Sequence, residues 1–173
     1  PIIGMHAYVA PQSRFDKTTH GIREASFQII LLAKNLKGYK NLSKLSTLGY
    51  LEWFYYRPRL DKEILKIHNE GLIALIPPLN SEVAHYASVE QREEAERALR
   101  DHLDIFGVEN LYFEVQNHEI DRQKKMQEIS RGLGKKYNVG RVVTNSVYYL
   151  NRRDAYAHEA LLCIGTNNTL DDP

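Results

Sequence analysis

Apolar positions along this chain fall into short runs of two periods, two and three to four residues, separated by polar punctuation. Residues 2–10 carry Ile2, Ile3, Met5, Tyr8 and Val9 and predict a strand. A polar stretch over 11–23, with Asp16, Thr18, Thr19 and Gly21, reads as a loop or hairpin tip. Residues 26–33 (SFQIILLA) are apolar on both faces, the pattern of a strand covered by helices. Gly38 then opens a recurrence at threes, Tyr39, Leu42, Leu45, Leu48 and Leu51, which predicts a helix with one apolar face. The aromatic cluster Trp53-Phe54-Tyr55-Tyr56 runs into Arg57-Pro58-Arg59, where proline breaks the helix.

Asp61 suits the N-cap of a short helix through residue 67, which Asn69-Glu70-Gly71 ends. Residues 72–76 form another short apolar run, stopped by Pro77-Pro78. A charged helix is expected over 89–106, with Ala95, Leu99, Leu103 and Phe106 inward, and a strand over 110–116. A helix over 121–137, interrupted in its later turns by Gly132 and Gly134, precedes a last strand over 141–145 and a last helix over 154–164. Strands alternating with helices at this spacing imply an α/β fold of βα units, a mainly parallel sheet or barrel. Five strands are few for a closed barrel. A length of 173 residues suits one domain, 1–173.

Composition narrows the function little. Net charge is +1 from 23 basic and 22 acidic residues, so any case for nucleic acid or membrane must be local. No apolar run reaches the roughly 18 residues a membrane span needs, and residues 1–10 lack the features of a signal peptide. The single cysteine, Cys163, excludes an internal disulfide and suits a reducing compartment; its apolar helical neighbours imply a buried small residue rather than a nucleophile. The opening Pro1-Ile2-Ile3-Gly4 without methionine, and the abrupt Leu170-Asp171-Asp172-Pro173, suggest a fragment.

The candidate chemistry is sparse. None of the seven histidines forms an H-x-x-x-H pair. His6 on a strand and His118 just past one could face a barrel mouth, whereas His68, His85 and His102 read as surface residues. Arg57 and Arg59 beside four aromatics, with Lys34, Lys37, Lys40 and Lys44 nearby, offer a surface that could stack bases and hold phosphates. The same residues also suit a core corner and a solvated helix face. No phosphate-binding glycine loop and no nucleophile elbow are present.

Several segments together resemble the PHP (polymerase and histidinol phosphatase) domain of bacterial replicative DNA polymerase III alpha subunits. They are Pro1-Ile2-Ile3-Gly4-Met5, Ala7-Tyr8-Val9-Ala10-Pro11, Leu31-Leu32-Ala33-Lys34-Asn35, Phe54-Tyr55-Tyr56-Arg57-Pro58-Arg59, Glu70-Gly71-Leu72-Ile73-Ala74-Leu75, Val143-Thr144-Asn145 and Ala157-His158-Glu159. The resemblance implies a partial, distorted (β/α)7 barrel lacking its first strands. In members that keep a metal site, three ions held by His, Asp, Glu and Cys support phosphoester hydrolysis. The matching positions here hold His6 for a Glu, Gln28 for a His, Pro78 for a Cys, and Ser146 and Tyr148 for an Asp and a His.

Only His6 among these could ligate, so no metal and no catalytic residue is expected in this domain. A relocated site built from His6, His118 and Glu114 would make the domain an active zinc-, manganese- or magnesium-dependent phosphoesterase or 3′–5′ exonuclease. Without metal, the resemblance implies a cytoplasmic scaffold. Its partners would be the remainder of the polymerase alpha subunit, in some bacteria a proofreading exonuclease, and DNA through the parent protein.

Overall fold

The computed structural model describes residues 1–18 and 26–171. Seven strands form one sheet in the order β3-β4-β1-β2-β5-β6-β7. They are β1 (Gly4–Val9), β2 (Phe27–Ala33), β3 (Phe54–Tyr55), β4 (Arg57–Leu60), β5 (Leu72–Ile76), β6 (Leu111–Val115) and β7 (Gly140–Val143). Six helices accompany them: α1 (Leu36–Leu51), α2 (Lys62–Ile67), α3 (Glu82–Ser88), α4 (Arg92–Phe106), α5 (Asp121–Tyr137) and α6 (Ala155–Thr166). This mixed α/β architecture is compatible with a partial PHP-type (β/α) barrel.

Cross-strand partners share a face, so the register sorts the sheet into two sides. Ala7, Val9, Ile29, Leu31, Leu60, Ala74, Ile76, Leu111 and Phe113 lie on one side and form the core with Leu42, Leu45, Leu48, Leu65, Leu99 and Met126 of the helices. His6, Tyr8, Gln28, Ile30, Leu75, Tyr112 and Glu114 lie on the other, as the pairs His6–Ile30, Tyr8–Gln28, Ile30–Leu75 and Leu75–Tyr112 require. A sheet with its core-forming helices on one face is the layering of a barrel wall.

The pairing is less parallel than the βα spacing implied. β2 runs antiparallel to both β1 and β5, while β1–β4, β5–β6 and β6–β7 are parallel. The described part of the β1–β2 connection holds no helix to carry a crossover, and a chain returning without one pairs antiparallel. The expected loop over 11–23 lies partly in residues 19–25, outside the described residues.

Two strands went unread in the sequence. Pro58 does not end a helix; α1 stops at Leu51, and Pro58 sits in β4 opposite Phe54 of β3. Pro58 precedes the first pair between β4 and β1, Tyr8–Arg59, so the inner ladder does not ask for its missing N–H. α3 was also missed: Ser81 caps it by accepting from the Ala84 N–H at 3.2 Å.

α1 buries Leu42, Leu45 and Leu48, but Tyr39 and Leu51 at the ends of the expected stripe are exposed. α5 continues through Gly132 and Gly134 without a break. His102, expected at the surface, is buried on α4, and its Nδ1 lies 2.6 Å from the Ala98 carbonyl, a bond that satisfies the ring. Cys163, expected inside, is half-buried on α6, whose residues include none that is buried. Among the described residues no helix is long and apolar enough to cross a membrane.

Candidate functional site

The positions that match family metal ligands converge only in part. His6 and Gln28 share the helix-free face, since their cross-strand partners are Ile30 and Tyr8. Gln28 is the second residue of β2, and its N–H donates to the Asn80 carbonyl at 2.8 Å, tying β2 to the turn after β5. Pro78 is buried in that turn, beside Pro77, whose carbonyl accepts from Ser81 Oγ at 2.7 Å. Ser146 and Tyr148 are exposed in the segment after β7. Tyr148 packs its ring on His158 of α6, with centroids 5.2 Å apart. Among the described residues no group of three His, Cys, Asp or Glu side chains is placed to hold a metal ion.

The relocated set does not assemble either. Glu114 on β6 accepts from Thr144 Oγ1 at 2.5 Å and from Gln116 Nε2 at 3.2 Å. His118 Nε2 lies 2.8 Å from Asn145 Oδ1, while Gln123 Nε2 reaches its Nδ1 at 3.1 Å. Gln123 also donates to Gln116 Oε1 at 3.3 Å, which links Glu114 and His118 through one chain of amides. His6 stands on β1 with β2 and β5 between it and β6, three strand spacings or about 14 Å along the sheet. Among the described residues these three side chains do not form a group that could hold a cation. The network is therefore an internal brace between β6, β7 and the start of α5.

The basic and aromatic segment divides between interior and cleft. Trp53 and Arg59 are buried, so neither offers a surface for bases. Arg59 donates to the carbonyls of Arg14 at 3.2 Å and Asp16 at 2.6 Å, and burial holds its pKa below the usual arginine value. Arg14 itself is buried and lies 4.6 Å from the ring centres of both Phe15 and Trp53. It donates to both Asp61 oxygens at 2.7 and 2.8 Å and to Glu63 at 2.9 Å. Asp61 also caps α2 as its sequence position predicts, its Oδ1 accepting from the Ile64 N–H at 3.0 Å. Arg14 lies 47 residues away, with no local pattern to announce the pairing.

Arg57 behaves differently. Its guanidinium lies over the Tyr8 ring, 4.5 Å from the centroid. It borders a cleft of about 490 Å³ lined also by Phe27, Gln28, Asn80, His85 and Arg122. Phe27 and His85 pack ring to ring, 5.3 Å between centroids. No carboxylate lines this cleft among the described residues. Arg122, at the start of α5, carries no signal in the sequence; only the fold brings it to the same cleft as Arg57.

This α/β sheet agrees with the comparison by sequence. The PHP domain family matches residues 1–118, and the chain belongs to that family. Its curated relatives are DNA polymerase III alpha subunits. That of Thermus aquaticus is 44% identical over 174 residues, covering 100% of this chain and 14% of the relative. Those of Treponema pallidum and Aquifex aeolicus are 42% and 41% identical, each over 99% of this chain and 15% of the relative. The chain thus spans about one seventh of the length of these relatives.

Proposed function

We propose that residues 1–173 form a non-catalytic scaffold and interaction domain of a replicative DNA polymerase III alpha subunit, working in the bacterial cytoplasm. The observation that carries this reading is the chemistry of the ligand positions. Gln28 and Ser146 offer neutral oxygens, Pro78 offers no side-chain donor, and Tyr148 is turned onto His158. Clustered divalent ions need several anionic oxygens, which these side chains do not supply. The carboxylate of Glu114 already accepts two hydrogen bonds within the chain. The domain accordingly needs no zinc, manganese or magnesium of its own.

A scaffold must present surfaces to its partners. α6 and the segment before it leave Leu150, Leu161 and Ile164 at 95%, 64% and 78% exposure. Such a face suits burial against the remainder of the alpha subunit, with a separate proofreading exonuclease as a second partner and DNA reached only through the parent protein. The test is metal analysis of the full-length subunit together with a cleavage assay on 3′-terminated DNA. The expected result is substoichiometric zinc and manganese with no chelator-sensitive cleavage. Stoichiometric zinc or manganese with chelator-sensitive cleavage would overturn the reading in favour of an active phosphoesterase or 3′–5′ exonuclease.

A further inference from the structure

We propose that the cleft between Arg57 and Arg122 binds the phosphate of a nucleotide, with the base against Phe27 and His85, and does so without a metal ion. The cleft, about 490 Å³, lies at the end of the sheet where β2 begins, tied there to the turn after β5, and takes its lining from both faces. Its two arginines come from separate elements, one on β4 and one on α5. Neither has a carboxylate partner among the described residues. Two arginines lining one cleft that holds no carboxylate among the described residues mark it as a place for an anion.

The chemistry selects a phosphate with an aromatic attachment. A guanidinium offers planar, paired N–H donors that match phosphate oxygens, and it keeps its charge at every working pH. Arg57 is already held in place by the Tyr8 ring beneath it, so little side-chain freedom is lost on binding. The Gln28 and Asn80 side chains add neutral donors for the remaining oxygens or for a sugar hydroxyl. The Phe27–His85 pair supplies a π-surface, and stacking on such a surface accepts any base. The positive charge that bound cations would bring to a phosphate comes here from side chains. No acidic group among the described residues is placed to activate water, so the nucleotide is held and not cut.

The ligand could be a free nucleotide or the phosphorylated end of a strand. Photo-cross-linking of the full-length subunit with 8-azido-dAMP in excess EDTA, followed by mass-spectrometric mapping, tests the proposal and separates the two sources. Labelling is expected on the peptides that contain Phe27 or His85. It should fall at least about tenfold in R57A/R122A. R122A alone, at an exposed position whose loss leaves the core intact, should also weaken it. Stronger competition by a 5′-phosphorylated oligonucleotide than by dAMP identifies a strand end; the reverse order identifies a free nucleotide, and either supports the cleft. Labelling that vanishes in EDTA, maps only to other peptides, or survives R57A/R122A unchanged overturns the proposal.

Discussion

Two buried polar residues show how single side chains set the stability of this chain. Asp61 caps α2 and at the same time holds the buried guanidinium of Arg14. Replacing it with alanine removes the cap, worth about 1 kcal/mol, and leaves a buried cation held only by Glu63. Removing one partner of a buried pair costs about 3–5 kcal/mol. Urea denaturation should therefore show Asp61→Ala destabilised by about that amount, and Asp61→Asn, which keeps a cap acceptor, by less.

His102 adds to the response to acid. Burial holds its pKa below the ordinary 6.5, against the opposing bond to the Ala98 carbonyl. Below about pH 6.5 the unfolded chain takes up a proton that the folded chain refuses, so stability falls as pH drops from there toward the lowered folded value. The nearby Lys62 does not share this behaviour. Burial pushes it down, but hydrogen bonds to Asp101 and Glu82 outweigh burial and leave its pKa raised. Denaturation midpoints between pH 7.5 and 5.5 should decline for the native sequence and decline less for His102→Leu, after allowing for the cost of that substitution.

At the scale of elements, α1 is fixed to the sheet by backbone meeting backbone. Asn35 caps the helix by accepting from the Gly38 N–H at 3.0 Å, and Asn41 donates to the Glu70 carbonyl at 2.8 Å. A Cβ on Gly38 would stand 1.8 Å from the Gly71 carbonyl oxygen, and Gly71 itself has a φ of +74°. Neither side of this contact is a flexible side chain that could yield. Gly38→Ala should cost about 3 kcal/mol, the upper end for overpacking, in the same denaturation experiment. Gly132 is the contrasting case: a Cβ there meets nothing within 4 Å. Gly132→Ala should stabilise the chain by about 0.5–1 kcal/mol through helix propensity alone.

The sequence pattern made both glycines look like helix boundaries, one a start and one an interruption. Periodicity registers a missing side chain but cannot say whether a neighbouring backbone occupies its place. The same limit hid β3 and β4, whose two and four residues are too short for a period to emerge. It hid Arg122 and the Arg14–Asp61 pair as well, because those meetings are made by the fold across long sequence separations. The strands at 27–33, 72–76 and 111–115 were legible because continuous apolar runs bounded by polar residues admit few other readings. The ligand positions His6, Gln28, Pro78, Ser146 and Tyr148 were legible only through family resemblance; nothing in their spacing marked them.

At the scale of the molecule, the sheet among the described residues ends on β7, which pairs there with β6 alone, and α6 follows it in the chain with its apolar side chains uncovered. In a βα unit such a helix would be expected to bury its apolar stripe against its own sheet. Here Leu161 and Ile164 are 64% and 78% exposed. If this face serves as a scaffold surface, one substitution has opposite consequences in two settings. In the isolated chain, Leu161→Lys with Ile164→Glu removes exposed apolar area and leaves the core untouched. Sedimentation should then show less self-association and unchanged thermal stability. In the full-length subunit the same pair places two charges in a buried interface, where charge without a partner costs several kcal/mol. Its lowest-temperature unfolding transition should shift downward, and limited proteolysis should open the junction beside α6. A full-length subunit indifferent to the substitution would mean that α6 faces solvent there too, and the scaffold surface would have to be sought on another face of the sheet.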